Sequence, residues 1–324
     1  MKKSKLLFVI CLAMVLLVMP SCSKKESSAD TGTKTATVKN KNINIATASI
    51  GGAYYAVGQE ISNLVNKHAT GLTMAPEVTA GAIENPRLVD QGDADFGITN
   101  ANLAYAAVKG ESPYTKPLNI KAIGNLHPSV FHIIALESSG IKSIADLKGK
   151  KVAVGPAGGG TLPVLEVLLN LYGLTINDIT PSYIAYGDGF TQLSDGNVDV
   201  ALALSGYPAS SVMELSTTKK IRFVEVTADD MAKIEKDYPY YTTIMVPADT
   251  YGMAADARAL GIMNVFFANR NLDDDTVFQV ASSVYDNLEE FAQNNATAKQ
   301  INAATIADPV IELHSGAKKY FSEK

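Results

Sequence analysis

Residues 152–168 read VAVGPAGGGTLPVLEVL, an apolar strand, a loop crowded with glycine and then a helix. Glycines of this kind let the backbone approach a ligand, and a helix start offers N–H groups with no partner inside the helix. Gly155 and Gly160 nearly match the spacing of a phosphate-binding loop, but Thr161 stands where a lysine would meet the β- and γ-phosphates. A second stretch, SIGGAYYAVGQEI at 49–61, repeats the build, with Gly51 and Gly52 before a helix that opens on Tyr54 and Tyr55. Neither loop reads G-x-G-x-x-G, so nucleotide binding is not indicated. Anion binding is: one helix start favours a negative group by about 0.3–1 kcal/mol when exposed and up to about 2 kcal/mol when partly buried. Two starts facing one cleft would hold a small carboxylate without an arginine.

Residue types that would change such a ligand are scarce. The histidines, His68, His127, His132 and His314, show no metal-ligand spacing, and no G-x-S-x-G elbow occurs. His68 closes a helix, and His132 alternates inside the strand-like VFHIIAL as a structural residue. His127, in GNLHPSV, lies near the expected crossover between lobes and is a candidate ligand contact. Asp273 to Asp275 open a helix, where its dipole favours acids, and lack the spaced oxygens of a calcium loop. The reading is therefore a binding protein with no cofactor and no metal. An enzyme on the same architecture is the alternative, and would require a nucleophile or metal cluster.

The elements that carry the loops recur. Ile43 to Ala46 forms the strand before the first loop, and Val57, Ile61, Leu64 and Val65 mark the helix after it. Val152 to Val154, then Leu162, Leu165, Leu168 and Leu169, do the same around the second. About 40 residues further on in each half, VDQGDADFGIT and LSDGNVDVALA share a helix–Gly–strand pattern, with Gly92 and Gly196 suited to a left-handed helix end. Between the halves, Ser143 and Asp146 form a capping box and Gly149 ends its short helix. Strands alternating with helices predict an α/β fold of related halves with mainly parallel sheets, whose ligands sit beyond the carboxyl ends of the strands. Thr99 to Asn102 and Leu204 to Tyr207 then face the same cleft as the glycine loops. In the C-terminal part, Val277, Ala281, Val284, Leu288 and Phe291 form one helical stripe.

A chain of 324 residues exceeds what one core supports, so two lobes are expected. Its net charge of −5 argues against a nucleic-acid partner. At the N-terminus, Lys2, Lys3 and Lys5 precede the apolar run Leu6 to Met19, which falls short of the roughly 20 residues that span a bilayer. Residues 1–21 therefore read as a signal peptide. VMPSC resembles a lipobox, which makes Cys22 the lipidated residue of an extracytoplasmic, lipid-anchored protein; residues 22–40 read as a flexible tether. With Cys11 removed and Cys22 lipidated, no thiol is left for a disulfide, nucleophile or metal.

The stretches GGAYYAVGQEISNLVNK, TAGAIENPRLVDQGDADFGITNANLAY, SGIKSIADLKGKKVAVGPAGGGT and YPASSVMEL resemble the TAXI family, the extracytoplasmic solute receptors of tripartite ATP-independent periplasmic (TRAP) transporters. That resemblance implies a two-lobed type II periplasmic-binding-protein fold with crossover hinge strands: residues 41–127 and 246–324 as lobe I, residues 128–245 as lobe II. It further implies a monomer that closes over glutamate, glutamine or a related carboxylate and delivers it to TRAP membrane subunits. Matching positions would place Ser49, Ile50, Gly51, Gly52, Tyr54, Tyr55, Thr79, Gly81 and Asn85 on lobe I, joined by Asn100, Ala101 and Asn102. Lobe II would supply Pro156, Gly158, Gly159, Gly160, Thr161, Gly206 and Tyr207. Ile50 replaces a common threonine, Gly159 a common serine, and Asn100–Ala101–Asn102 a frequent Gln-Ser-Asp. Loss of that aspartate removes a partner for a ligand ammonium and favours a keto acid or dicarboxylate. A ligand-sensing surface lipoprotein without a transporter would keep the fold and lose the partner.

Overall fold

The computed structural model describes residues 41–50 and 52–324. The signal-peptide, tether and Cys22 expectations, and Gly51, lie outside the described residues. The strands are β1 (Lys41–Ala46), β2 (Leu72–Glu77), β3 (Phe96–Asn100), β4 (Ile120–Leu136), β5 (Lys151–Ala153), β6 (Thr180–Ser182), β7 (Val200–Ser205), β8 (Ile221–Phe223), β9 (Tyr241–Val246) and β10 (Ala257–Asn269). The helices are α1 (Ala53–His68), α2 (Asn85–Gln91), α3 (Ala101–Lys109), α4 (Thr161–Leu171), α5 (Tyr186–Asp195), α6 (Ser210–Thr218), α7 (Ala228–Asp237), α8 (Asp274–Tyr285), α9 (Leu288–Asn294) and α10 (Ser315–Ser322).

The strands join one sheet in the order β2-β1-β3-β10-β4-β7-β5-β6, with β8 on β4 and β9 on β10. Its two ends are parallel: β2, β1 and β3 form a first flank, and β7, β5 and β6 a second. Between them run the long strands β4 and β10, antiparallel to each other and to their neighbours β7 and β3. Both crossover strands therefore belong to the two flanks at once. Met263 pairs with Pro128 and Val265 with Asn125, so Asn264 alone opposes Leu126 and His127. Such a two-against-one bulge bends its strand and interrupts the ladder.

Local chemistry explains the flanks. Val57, Ile61, Leu64 and Val65 put one face of α1 wholly in the core, and Leu165, Leu168 and Leu169 do so for α4. Gly92 ends α2 at φ 83° and Gly196 ends α5 at φ 76°, in the left-handed conformation that glycine adopts without a Cβ clash. Both ends deliver the chain into a buried strand, β3 and β7. The capping box of Ser143 and Asp146 is present on a single 3-10 turn, Ile144–Leu147. The C-terminal stripe is not one helix, as its phase suggested. The chain breaks at Asp286 and Asn287, so Leu288 and Phe291 belong to α9. Asp286 accepts a hydrogen bond from the Tyr320 hydroxyl at 2.8 Å, which anchors this corner to α10. No described helix is long and apolar enough to cross a membrane.

Candidate functional site

The carboxyl ends of β1, β3, β5 and β7 open on one cleft where the flanks meet. Ser49, Gly52 and Tyr54 line it from the first loop and α1; Gly81 and Asn100 line it from the same flank. Pro156, Gly159 and Gly160 line it from the second loop. The flanks are in direct contact at this seam. Ile83 N–H donates to Gly158 C=O at 2.9 Å, and a Cβ on Gly81 would lie 3.6 Å from the Gly159 Cα. The enclosed volume is about 20 Å³, space for one or two waters, so a solute enters only when the flanks part.

Helix starts supply the electrostatics. Gly52, Asn100, Gly160 and Ala185 are the residues that precede α1, α3, α4 and α5, and none makes a side-chain capping bond. Three of these four, with Tyr186 from the first turn of α5, line the cleft. By contrast Thr227, Asp273 and His314 cap α7, α8 and α10 with side-chain acceptors. Missing caps alone do not mark the cleft, since α2, α6 and α9 also lack them; the convergence does. Among the described residues no Lys, Arg, His, Asp or Glu lines the cleft. Such a site can meet negative charge with backbone N–H groups and helix dipoles, and has no carboxylate to pair with an ammonium.

A polar network lies under the floor. Asn264, wholly buried in β10, accepts hydrogen bonds at Oδ1 from the Tyr54 hydroxyl at 2.6 Å and Asn100 Nδ2 at 2.8 Å. Its Nδ2 donates to His127 C=O at 2.7 Å and Ser129 Oγ at 2.9 Å. All four hydrogen-bonding positions of the amide are thereby used. Burial drives the Tyr54 hydroxyl well above its ordinary pKa, so it stays a donor. Beside it, Asn85 donates to Thr47 C=O and Ile98 C=O, both at 2.7 Å, and accepts from Thr79 Oγ1 at 2.7 Å. Asn85 and Thr79 thus tie the ends of β1 and β3 together beneath the cleft rather than lining it.

The remaining expected residues are placed elsewhere around this core. Ile50 is 73% exposed and Tyr55 partly so, while Ala101 is buried in the first turn of α3. Asn102 lies over the outer side of α3, its Nδ2 3.3 Å from the Tyr241 hydroxyl and its Oδ1 buried without a partner. Thr161 Oγ1 donates to Val154 C=O at 2.5 Å and fixes the second loop on its own strand. Gly206 packs under Thr297, and Tyr207 C=O accepts from Gln300 Nε2. His127 is fully buried at the bulge with neither ring nitrogen paired, and burial lowers its pKa to about 3. His132 is also buried, at 2.9 Å from the Tyr251 hydroxyl. Leu204 lines the cleft, as its place after a paired strand suggested. Ala53, Ala80 and Ala82 line it from within the stretches 49–55 and 79–85 without having been singled out, and the sequence reading missed Ala48 and Tyr186. The Tyr186 hydroxyl is held by Leu204 backbone and Thr161, with burial raising its pKa to about 12.

Roomier grooves lie beyond this cleft. One of about 470 Å³ carries Lys142, Arg222 and Arg258 against Glu137, Glu225 and Asp256, so its charges cancel. Another, about 600 Å³, lies between α3 of the first flank and α4 of the second, and carries Arg87 and Glu166. The second of these is also lined by first-turn residues, Asn102 and Leu103 of α3 and Leu162 and Pro163 of α4, whereas the helix-preceding residues Gly52, Asn100 and Gly160 line the small cleft. Among the described residues no group of three or more His, Cys, Asp or Glu comes together.

A two-flanked α/β sheet folded over a cleft at its strand ends is the architecture of periplasmic binding proteins. The chain belongs to the NMT1-like family, whose model matches residues 45–324. Over 87 residues it is 33% identical to a protein of Escherichia coli (strain K12) described as an aliphatic sulfonates-binding protein. That match covers 27% of this chain and 27% of the relative, so the chain spans about a quarter of the length of the curated relative it matches. Among solved structures, a protein of Bordetella bronchiseptica RB50 aligns with a TM-score of 0.56 at 16% identity, over 87% of this chain and 97% of the other. A binding protein component of an ABC phosphonate transporter from Pseudomonas aeruginosa aligns with a TM-score of 0.54 at 11% identity, over 82% of each chain. These likenesses establish the fold. The described relatives are binding proteins rather than enzymes. The resemblance to TAXI receptors of TRAP transporters is overturned by the family match. Its motifs are strand–glycine-loop–helix signatures, which report how such a fold is built and do not single out one family within it.

Proposed function

We propose that the chain is an extracytoplasmic solute-binding receptor that captures a small organic anion between its flanks and hands it to a membrane transporter. One observation carries this reading: several uncapped helix starts converge on a cleft lined, among the described residues, by no charged side chain. An anion there gains N–H donors at the helix starts, with Glu84 as the near carboxylate and engaged by Ala80 N–H, whereas an amino acid would bring its ammonium to a lining that offers it no carboxylate. The ligand class is therefore a carboxylate or sulfonate without an ammonium group. The flanks act as two lobes, residues 41–127 with 246–324 and residues 128–245, and pivot on β4 and β10. Closure is favoured because only the shut state brings both loops to the ligand. The descriptions of the relatives support a transporter of the ABC type and include sulfonate and phosphonate ligands. Lipidation at Cys22 tethers the receptor to the membrane surface.

Titration calorimetry of the refolded protein tests the ligand class. The probes are glutamate, glutamine, 2-oxoglutarate, succinate, ethanesulfonate and methylphosphonate. Saturable heat from an ammonium-free anion, and none from glutamine, supports the reading; heat from the amino acids alone, or from no probe, defeats it. Detergent-phase partitioning that is unchanged by Cys22→Ala would rule out the anchor.

A further inference from the structure

Asn264 bonds at one end to two side chains that line the cleft and at the other to the strand crossing between flanks, and we infer that it is a positioning residue coupling the two. It rests on the lobe motion proposed above, though not on the ligand's identity. Asn264 sits at the bulge, opposite Leu126 and His127, where the ladder between β4 and β10 is interrupted. Its Nδ2 holds the bulged backbone at His127 C=O and the neighbouring Ser129 Oγ. Its Oδ1 holds the Tyr54 hydroxyl and the Asn100 carboxamide, both of which line the cleft. Asn100 in turn reaches the opposite flank: a Cβ on Gly160 would fall 2.1 Å from its Oδ1. A shift of the bulge therefore moves the carboxamide that meets the second loop, and displacement of Asn100 or Tyr54 pulls on the bulge. The groups facing Asn264 are Tyr54 from α1, Asn100 from the end of β3, and Ser129 and the His127 backbone from β4. None of these carries a charge, since burial keeps the Tyr54 hydroxyl protonated and the His127 ring neutral.

Two substitutions separate coupling from simple support. In Asn264→Asp the side chain keeps its shape, and while protonated its carboxyl can still donate to His127 C=O. Once ionised, it sets an oxygen against that carbonyl. Asn264→Leu removes every hydrogen bond at similar volume. Both are made in the full chain carrying Cys11→Ala and Cys22→Ala, with spin labels at Val78→Cys and Tyr183→Cys. These exposed positions follow β2 and β6, at opposite ends of the sheet. Dipolar EPR then reads the separation of the flanks with no ligand added, while infrared spectroscopy follows the introduced carboxyl. The parent distribution should not change between about pH 6 and 9. Asn264→Asp should match it while protonated and move to separations longer by more than about 2 Å as the carboxyl ionises. Asn264→Leu should be shifted or broadened at every pH. If both variants merely melt at lower temperature, with the parent's distance distribution in the folded protein, Asn264 is a structural amide and the coupling is refuted. Because no solute is present, a failed calorimetric screen leaves this result standing, and the reverse also holds.

Discussion

The two glycine loops look alike in sequence, yet they are packed differently. Around the first, a Cβ added to Gly52 would meet the Ser49 carbonyl at 3.4 Å and the Tyr186 ring at 3.9 Å, both ordinary contacts. Around the second, three of the four glycines are closely covered. A Cβ on Gly155 would lie 2.7 Å from Tyr186, one on Gly158 2.5 Å from Ala80, and one on Gly160 2.1 Å from Asn100. The second loop is also pinned by the bond from Thr161 Oγ1 to Val154 C=O. One cradle is thus a fixed anvil whose glycines are sterically required. The other is a looser partner that carries the exposed Ile50 on its rim. Glycine in a loop does not by itself mean constraint; what lies above the Cα decides it.

Substitutions at these glycines should fall in a definite order. Gly160→Ala has the largest effect, because its Cβ meets the buried Asn100 carboxamide across the seam at 2.1 Å and also Leu204 of its own flank at 3.1 Å, a contact that parting the flanks does not relieve. Overpacking of this kind costs about 1–3 kcal/mol, and urea unfolding should show it. Gly158→Ala differs in kind. Its clash is with Ala80 across the seam, so parting the flanks relieves it. Stability should change little while small-angle scattering reports a larger radius of gyration, and Ala80→Gly in the same chain should restore compactness. If the second substitution does not rescue the first, the seam is not where the flanks meet.

Acid should expose the contrast between the seam and the bulge behind it. His127 has a folded pKa of about 3, below its ordinary value of 6.5, so burial opposes its protonation. A group shifted down contributes stability above the unfolded pKa and loses it as pH falls from about 6.5 towards 3. His132, lowered to about 4, acts in the same direction. His127→Phe should flatten the fall of melting temperature over this range by about one proton's worth of slope, leaving the remainder to His132. The smallest effect belongs to Gly52→Ala, under about 1 kcal/mol, the ordinary scale of a change at a helix N-cap. A large loss there would erase the difference between the loops.

Much of the architecture was legible because it repeats. The strand–loop–helix units and the paired helix–Gly–strand units rest on apolar period and on glycines that must adopt positive φ, both of which survive in a single sequence. The cleft was legible only where glycine or a polar side chain marked it. Ala48, Ala53, Ala80 and Ala82 carry no chemical signal, since their role is to be small. Tyr186 reaches the site from α5, through a strand order that periodicity does not reveal. Asn264 had a usable signal: a lone carboxamide in the apolar run GIMNVFFA, where a buried strand tolerates it only with its hydrogen bonds met. The α8–α9 break was hidden because Leu288 and Phe291 stay in phase across it.

The central claim is that backbone donors at helix starts, with no charged side chain, hold the ligand. Amide-resolved NMR on addition of 2-oxoglutarate or ethanesulfonate tests it most directly. The account predicts saturable shifts together at Ala53 to Tyr55, Ala101 and Asn102, Thr161 and Leu162, and Tyr186. Shifts confined to the groove of Lys142, Arg222 and Arg258, with these helix starts unmoved, would contradict it.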